Sequence, residues 1–323
     1  MYTINEIKNF ISNSKVKKRI VLPEGNEPSI IKTANYLVEN NLAIPIVIFE
    51  TSENISSDLN SQVEKIILDS YDLSELRDAF LAIRKEKATL EIANTVIKQP
   101  NYVGTLLVEL GKADCMLLGL TYTTADSLRP ALQIIKTAPG YSLASSVLIM
   151  QKDDQSLLFT DCGFNIKPNA AQLVDITKMT VEFARSMNVK EPEAALLSYS
   201  TNGSGKGEDV IKVQSAVSIL KEQKVDFNFA GEVQFDAAFD QTVRSKKFPT
   251  NTLTKLIPDV FVFPDINAGN IGYKIAQRMG NWNAIGPFIL GLNKPVNDLS
   301  RGATLEDIIS TAIITIFQAS EVA

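Results

Sequence analysis

The chain has 323 residues, of which 45% are hydrophobic and 21% charged, so its composition is that of a globular protein with a sizeable core. Its formal net charge of −5 disfavours a protein that coats nucleic acid, because neutralising phosphates requires a basic face. The absence of histidine excludes Ser-His-Asp and Cys-His catalysis, so any proton transfer must use Asp, Glu, Lys, Tyr or Cys.

Short runs rich in Val, Ile, Leu and Phe recur along the chain, and each is typical of a buried strand. They are RIVLPEG (19–25), IPIVIFE (44–50), CMLLGL (115–120), SSVLIM (145–150), AALLSYS (194–200) and DVFVFPD (259–265). Segments with helical spacing lie between them, such as Leu73, Leu76, Phe80 and Ile83, and near the end Ile308, Ile309, Ala312, Ile313 and Ile316. Alternating strands and helices predict an α/β fold.

The first residues and the cysteines bear on location. MYTINEIKNF carries acidic and polar groups where a secretion signal needs an apolar stretch, and no run approaches the ~18 apolar residues of a membrane span. Cys115 and Cys162 stand in apolar surroundings, which favours buried thiols over a disulfide. We therefore expect a cytoplasmic protein that is not exported and does not enter a membrane.

The segment STNGSGKGED (200–209) follows a predicted strand but fits neither common nucleotide-binding motif. A P-loop requires Gly where Ser200 stands and Ser or Thr where Gly207 stands, and the dinucleotide fingerprint lacks its third glycine. Two interpretations remain: a plain turn, and a site where exposed N–H groups before a helix bind an anion near Thr201 and Ser204.

The segment TYTTADSLRPALQIIK (121–136) predicts a helix with Thr124 as its N-cap. Pro130 is tolerated in the first turn of a helix, so we expect Arg129 to lie near the helix start. A guanidinium group at that position suits a phosphate ligand.

The segment GLNKPVNDLSRGATLEDI (291–308) is a polar loop before the final helix, and it contains Ser300 and Arg301. Loops of this polarity are either solvated or bind ligands. Thr304 and Asp307 stand three residues apart, as in a capping box with Asp in place of Glu, so helix initiation alone can explain Asp307.

Taken together, these segments resemble the phosphate acetyltransferase family over nearly the whole chain. The resemblance rests on RIVLPEG, TTADSLRPALQIIKT, ALLSYSTNGSGKG, GEVQFDAAF, VFVFPDINAGNIGYKIAQRMG and GPFILGLNKPVNDLSRG, in that order. It implies two α/β domains with an interdomain cleft, in an isocitrate/isopropylmalate dehydrogenase-like three-layer architecture. Residues 1–138 plus 291–323 would form the first domain, and residues 139–290 the inserted second one.

The resemblance also implies the reaction and its participants. In the family, the thiol of coenzyme A attacks the carbonyl of acetyl phosphate and phosphate leaves. Coenzyme A, acetyl phosphate and phosphate would be substrates, with no metal or organic prosthetic group, no nucleic-acid partner and a homodimeric assembly. Asp307 would be the base or would orient the thiol, Ser300 would stabilise the tetrahedral species, and Arg301 would hold carbonyl or phosphoryl oxygens.

Three further arginines match family positions. Arg129 and Arg84 correspond to arginines at the active cleft, and Arg278 corresponds to another arginine of less settled role. Ser29 stands where many members carry an arginine thought to help bind coenzyme A, so the resemblance does not say how the nucleotide end is held.

The sequence is also compatible with other functions. Phosphate butyryltransferase performs the same chemistry, and one or two methylenes change pocket energy by only ~1–3 kcal/mol. Nicotinamide-linked decarboxylating dehydrogenases share the architecture, although no metal-binding aspartate cluster is legible. A non-catalytic regulatory domain is disfavoured because Ser300, Arg301 and Asp307 are all kept.

Overall fold

A computed structural model describes residues 1–321, and the chain divides into two compact units. The terminal unit comprises Thr3–Pro139 and the residues from Leu292 onward. The central unit comprises Met1–Tyr2 and Gly140–Gly291. Strands and helices alternate in both, which confirms the predicted α/β fold.

Each of the six runs predicted as a strand contains one. The strands are β1 (Arg19–Leu22), β2 (Ile44–Phe49), β3 (Glu64–Ile67), β4 (Cys115–Leu118), β5 (Ser145–Lys152), β6 (Gln155–Thr160), β7 (Ala194–Leu197), β8 (Phe229–Val233), β9 (Val260–Val262), β10 (Asn283–Leu290) and β11 (Val296–Asp298). Those outside the predicted runs are short, carry polar residues, or contain a Gly-Pro pair, as β10 does, and so lack a clear apolar signal.

The helices alternate with the strands and cover the sheets. They are α1 (Ile4–Asn13), α2 (Pro28–Glu39), α3 (Ser74–Arg84), α4 (Leu90–Val96), α5 (Pro100–Glu109), α6 (Thr124–Ile134), α7 (Ala170–Ser186), α8 (Glu208–Glu222), α9 (Phe235–Phe239), α10 (Gln241–Lys247), α11 (Ile266–Gly280) and α12 (Leu305–Glu321). None of those in residues 1–321 is both long and apolar enough to cross a membrane.

The terminal unit contains a parallel sheet with the strand order β11-β4-β1-β2-β3. Every residue of β4 is buried, as expected for a strand covered on both faces. Because β2 and β4 lie on opposite sides of β1, the carboxyl ends of β1 and β4 form a topological switch point, where open α/β sheets bind ligands.

The central unit contains a mixed sheet with the order β10-β5-β6-β9-β7-β8, in which β5 runs antiparallel to both of its neighbours. Its core includes a cluster of aromatic rings around Phe159, whose centroid lies 5.4 Å from that of Phe261 and 5.2 Å from that of Phe263. Rings at these distances add edge and offset contacts to the burial of apolar area.

Candidate active site

In the terminal unit, Glu24 joins the end of β1 to the loop after β4. Its buried carboxylate accepts hydrogen bonds from the backbone N–H of Gly119 (2.7 Å), Leu120 (3.2 Å) and Thr121 (2.6 Å), and from the Thr121 hydroxyl (2.6 Å). A buried carboxylate is stable only when its oxygens are satisfied in this way. The loop after β4 is therefore fixed against β1 at the switch point.

A pocket of about 180 Å³ opens beside this contact. Glu24, Glu27 and Glu50 line it, together with Thr121 and Tyr122. Three carboxyl groups repel phosphate, so this pocket is unsuited to an anionic group.

Asp298 ends strand β11 next to the same loop. It is 3% exposed, and its Oδ1 atom has no hydrogen-bond partner among residues 1–321. Burial raises the pKa of Asp298 to about 6, while the nearby hydroxyls of Ser127 and Thr124 lower it and the charge of Glu24 raises it. The sheet edge thus contains a carboxyl group that titrates close to neutral pH.

The turn after Asp298 carries two of the predicted catalytic residues, and both are exposed. The Leu299 N–H donates to the Leu118 carbonyl (2.6 Å), which fixes the start of the turn to β4. The Ser300 carbonyl accepts from the Ala303 N–H (2.9 Å), which closes the turn. Within residues 1–321 Arg301 forms no ion pair, so its guanidinium group is available to an anionic ligand.

Asp307 forms the capping box that its spacing predicts. Its Oδ2 atom accepts from the Thr304 N–H (2.9 Å) and the Thr304 hydroxyl (2.8 Å), and the Asp307 N–H donates to Thr304 Oγ1 (3.2 Å). Both carboxylate contacts use Oδ2, so Oδ1 of this half-buried residue remains open to a ligand.

The start of α6 differs from the prediction by one residue. Thr123, not Thr124, is the N-cap, and its Oγ1 accepts from the Asp126 N–H (3.2 Å). Arg129 and Pro130 lie inside the helix, so the expectation that Arg129 sits at the helix start is wrong.

A proline inside a helix leaves one carbonyl without its usual donor. Here that carbonyl belongs to Asp126, four residues before Pro130, and it accepts from the Asn101 side-chain amide instead (2.9 Å). Asn101 is buried on α5, so this bond also ties α5 to α6 and explains how the proline is tolerated.

Arg84 and Arg129 lie near one phenol. Burial raises the pKa of Tyr102, while the positive charges of Arg129 and Arg84 lower it, so both guanidinium groups act on the same place. Arg84 has a buried Nε without a partner, and Arg129 pairs with Asp126 at 3.3 Å in an exposed and therefore weak ion pair. This leaves two cationic groups that an anion can engage.

In the central unit, the loop after β7 satisfies its own backbone. Buried Glu232 accepts from the Gly203 N–H (2.7 Å) and the Ser200 hydroxyl (2.8 Å), while the Gly205 N–H donates to Ser200 Oγ (2.8 Å). The Thr201 N–H donates to Ser204 Oγ (2.9 Å). Because these N–H groups are already used, the plain-turn interpretation is favoured over an anion site.

The other predicted residue of the central unit, Arg278, is exposed in the last turn of α11. It lies 12 residues, or about 18 Å at the helical rise, from the first residue of that helix. Helix α11 follows β9 and begins at the carboxyl end of the sheet, where Thr201 and Ser204 lie after β7. The structure therefore does not bring Arg278 together with Thr201 and Ser204.

Comparison with known proteins identifies the family. The family model "Phosphate acetyl/butaryl transferase" matches residues 2–316. The chain belongs to this family. A phosphate acetyltransferase from Mycoplasma capricolum is 56% identical over 98% of this chain and 99% of its own length, and one from Bacillus subtilis is 43% identical over 93% and 94%.

Solved structures agree with this assignment. A phosphotransacetylase from Streptococcus pyogenes has a TM-score of 0.92 and 40% identity, and the match covers 99% of this chain and 100% of that one. A 4-hydroxythreonine-4-phosphate dehydrogenase from Klebsiella pneumoniae, with a TM-score of 0.51 and 13% identity, shares the fold alone. Within residues 1–321, no group of three or more Asp, Glu, Cys or His side chains is placed to hold a metal ion.

The sequence of this family member did not point to Glu24 or Asp298 as site residues. Both follow predicted strands or lie in a polar loop, but their partners are far along the chain: Glu24 contacts residues 95–97 positions away. A carboxylate directly after a buried strand was the available signal, since the carboxyl ends of parallel strands share one edge.

Replacing Asp298 with Asn should stabilise the protein above pH 6. The folded-state pKa of about 6 exceeds the ordinary value of 3.8, so the folded state holds the proton more tightly. Asp298 therefore favours folding below pH 3.8, and this contribution is lost as the pH rises through 6. We expect the free energy of unfolding of Asp298→Asn to exceed the parent's by roughly 2–3 kcal/mol at pH 8, with little difference at pH 4.

Urea unfolding at both pH values measures this difference. Asp154→Asn, at an exposed position, is the control and should stay within about 0.5 kcal/mol of the parent at each pH. A variant at Asp298 that is no more stable than the parent at pH 8 would contradict the assignment of a destabilising buried charge.

Proposed function

We propose that this chain catalyses the reversible transfer of an acetyl group between coenzyme A and inorganic phosphate. The support is membership of the family over residues 2–316, with relatives named phosphate acetyltransferase. The observation that carries it is the arrangement at the start of α12, where exposed Ser300 and Arg301 precede an Asp307 carboxylate with one open oxygen.

In the proposed reaction, the sulfur of coenzyme A forms a bond to the carbonyl carbon of acetyl phosphate. The resulting tetrahedral species collapses, the bond from carbon to the phosphoryl oxygen breaks, and phosphate leaves with that electron pair. The Ser300 hydroxyl donates to the negative oxygen, and the planar guanidinium of Arg301 binds phosphoryl oxygens in a bidentate manner.

Asp307 receives or orients the thiol proton through Oδ1. A free thiol has a pKa of about 8.5, so a carboxylate is a weak base for it, and a neighbouring cation such as Arg301 helps by favouring the thiolate. Because the capping bonds hold Oδ2, the carboxylate keeps one orientation without a metal.

The remaining arginines and hydroxyls are assigned to substrate binding. Arg84 and Arg129 supply positive charge for phosphate or for the phosphates of coenzyme A, and Arg278 is a further candidate. Thr201 and Ser204 stay candidates. Ser204 is exposed, whereas Thr201 is buried and its hydroxyl accepts from the Gln234 N–H (2.9 Å). In the proposed reaction coenzyme A is a substrate. The proposal assigns every step to side chains of this chain and includes no metal or prosthetic group.

The direct test is to incubate the purified protein with acetyl-CoA and phosphate and to measure released thiol and acetyl phosphate. We expect both products in equal amounts, and a kcat/KM for acetyl phosphate about tenfold or more above that for butyryl phosphate in the reverse direction. A preference for butyryl phosphate would favour the butyryl alternative, and no product with either acyl group would overturn the proposal.

Asp307→Asn should lower kcat by about a hundredfold or more, because it removes the proton acceptor but keeps an oxygen for the cap. The KM values should change little. Glu306→Gln is the matched control, since Glu306 is an exposed carboxylate in the same first turn and should leave kcat within about twofold. An Asp307→Asn enzyme with kcat within twofold of the parent would remove this role.

We also propose a cytoplasmic homodimer. The two free, buried thiols suit a reducing compartment. Helix α11 exposes an apolar stripe of Ile271 (58%), Ile275 (53%) and Met279 (82%), spaced four residues apart, and a second copy related by a two-fold axis can cover it.

Ile275→Glu should shift the protein from dimer to monomer in light scattering coupled to size-exclusion chromatography, because it places a charge in the centre of the stripe. Val16→Glu is the control, since Val16 is an exposed apolar residue (72%) of the terminal unit. A monomeric parent would contradict the dimer, and a dimeric Ile275→Glu variant would contradict this interface.

A further inference from the structure

The stability of the fold does not explain why a carboxyl group is buried at Asp298. It is 3% exposed, and Oδ1 has no hydrogen-bond partner. An ionisable group buried with an unfilled acceptor destabilises a fold, and an apolar residue of similar size usually replaces it without loss. A residue that works against folding is expected where the chain needs it for another purpose.

Three elements surround this carboxyl group. Helix α6 contributes the hydroxyls of Thr124 and Ser127, and Ser127 is wholly buried with an Oγ that itself lacks a partner. Gly119, directly after strand β4, leaves room for it, because an added Cβ there would clash with Asp298 Oδ1. The charged group that faces it is Glu24.

Helix α12 packs on β11 through uncharged groups. The Asn297 side-chain amide donates to Thr315 Oγ1 (2.8 Å) and Gln318 Oε1 (2.7 Å). The ionisation of Asp298 is therefore governed by its burial, by the two α6 hydroxyls and by Glu24.

Asp298 precedes one group of proposed site residues in the chain and lies near α6, the helix that carries Arg129. Ser300 and Arg301 follow it by two and three positions on the same turn. Arg129 follows Ser127 by two positions on α6. If the carboxyl group moved relative to the two hydroxyls, Ser300 and Arg301 would be displaced relative to Arg129.

We propose that Asp298 is a positioning residue for acetyl transfer, whose carboxyl group fixes the turn bearing Ser300 and Arg301 against the first turns of α6, the helix that bears Arg129. This inference rests on the proposed function. As a carboxylate, Asp298 attracts the hydroxyls of Thr124 and Ser127, which lie close enough to lower its pKa. When it is protonated it is a weaker acceptor, and the turn is held less firmly.

The pH dependence follows from this role. Burial and Glu24 raise the pKa of Asp298 to about 6, so the carboxylate predominates above that pH and the acid below it. The parent enzyme should lose kcat/KM as the pH falls through 6. The amide side chain of the Asp298→Asn variant does not ionise, so the variant's pH profile of kcat/KM should lack the inflection near pH 6. Its amide oxygen remains an acceptor for the hydroxyls.

The experiment measures kcat and KM for acetyl-CoA and phosphate between pH 5 and 8.5 for the parent, Asp298→Asn and Asp298→Ala. At pH 8 we expect Asp298→Ala to lose about tenfold to a hundredfold in kcat/KM, the scale of a small misplacement of reacting groups, without loss of thermal stability. Asp298→Asn should retain activity within about fivefold of the parent.

Two further variants complete the test. Asp114→Asn changes a half-buried carboxyl group at the opposite end of β4, where it accepts from the Arg19 N–H (2.7 Å), and should keep the parent's inflection. Ser127→Ala removes the facing hydroxyl and should lower kcat/KM by about threefold to tenfold. This variant tests the proposal even if Asp298→Ala does not fold.

The inference fails if Asp298→Ala keeps kcat/KM within twofold of the parent, if Asp298→Asn shows the parent's inflection near pH 6, or if Ser127→Ala is kinetically unchanged. A parent that forms no acetyl phosphate would instead overturn the proposed function, so the two failures are distinguishable.

Discussion

The structure of the terminal unit depends on one buried carboxylate, that of Glu24. Four hydrogen bonds from Gly119, Leu120 and Thr121 satisfy it and together fix the ends of β1 and β4. Glu24 and Gly119 are 95 residues apart in sequence. The same negative charge raises the pKa of Asp298 on the next strand. A group that holds two strand ends in place therefore also adds, after burial, to the rise in the pKa of Asp298.

In the central unit, two buried carboxylates likewise accept hydrogen bonds from backbone N–H groups after strands. Glu232 binds the loop after β7 through Gly203 and Ser200, and buried Asp161 accepts from the N–H groups of Gly163 (3.0 Å), Phe164 (3.0 Å) and Asn165 (2.9 Å) after β6. Backbone N–H groups at strand ends are common anion ligands, but here internal carboxylates already occupy them. Under the proposed function, phosphate recognition would therefore fall to guanidinium groups such as Arg84, Arg129 and Arg301.

The sequence predicted the α/β fold and six of the strands because buried strands of three or more consecutive apolar residues produce a local signal. It did not indicate β11, whose Val-Asn-Asp sequence is polar. The prediction also chose the wrong cap for α6, although Thr123 stands three residues before Asp126, as in a capping box. The candidate catalytic residues came from resemblance to a family, and geometry added what no local pattern contains. Glu24 and Asp298 become meaningful only when strands distant in sequence are placed side by side.

Asp307 shows that a structural and a chemical explanation of one residue can both hold. The capping box with Thr304 accounts fully for Oδ2 and leaves Oδ1 unoccupied. A carboxylate held by its own helix cap loses rotational freedom before any substrate arrives, so less entropy is lost when a thiol is bound in the right direction. The cap is thus part of what would make Oδ1 an effective partner for the thiol, because the open oxygen keeps its direction only while the other oxygen is bound.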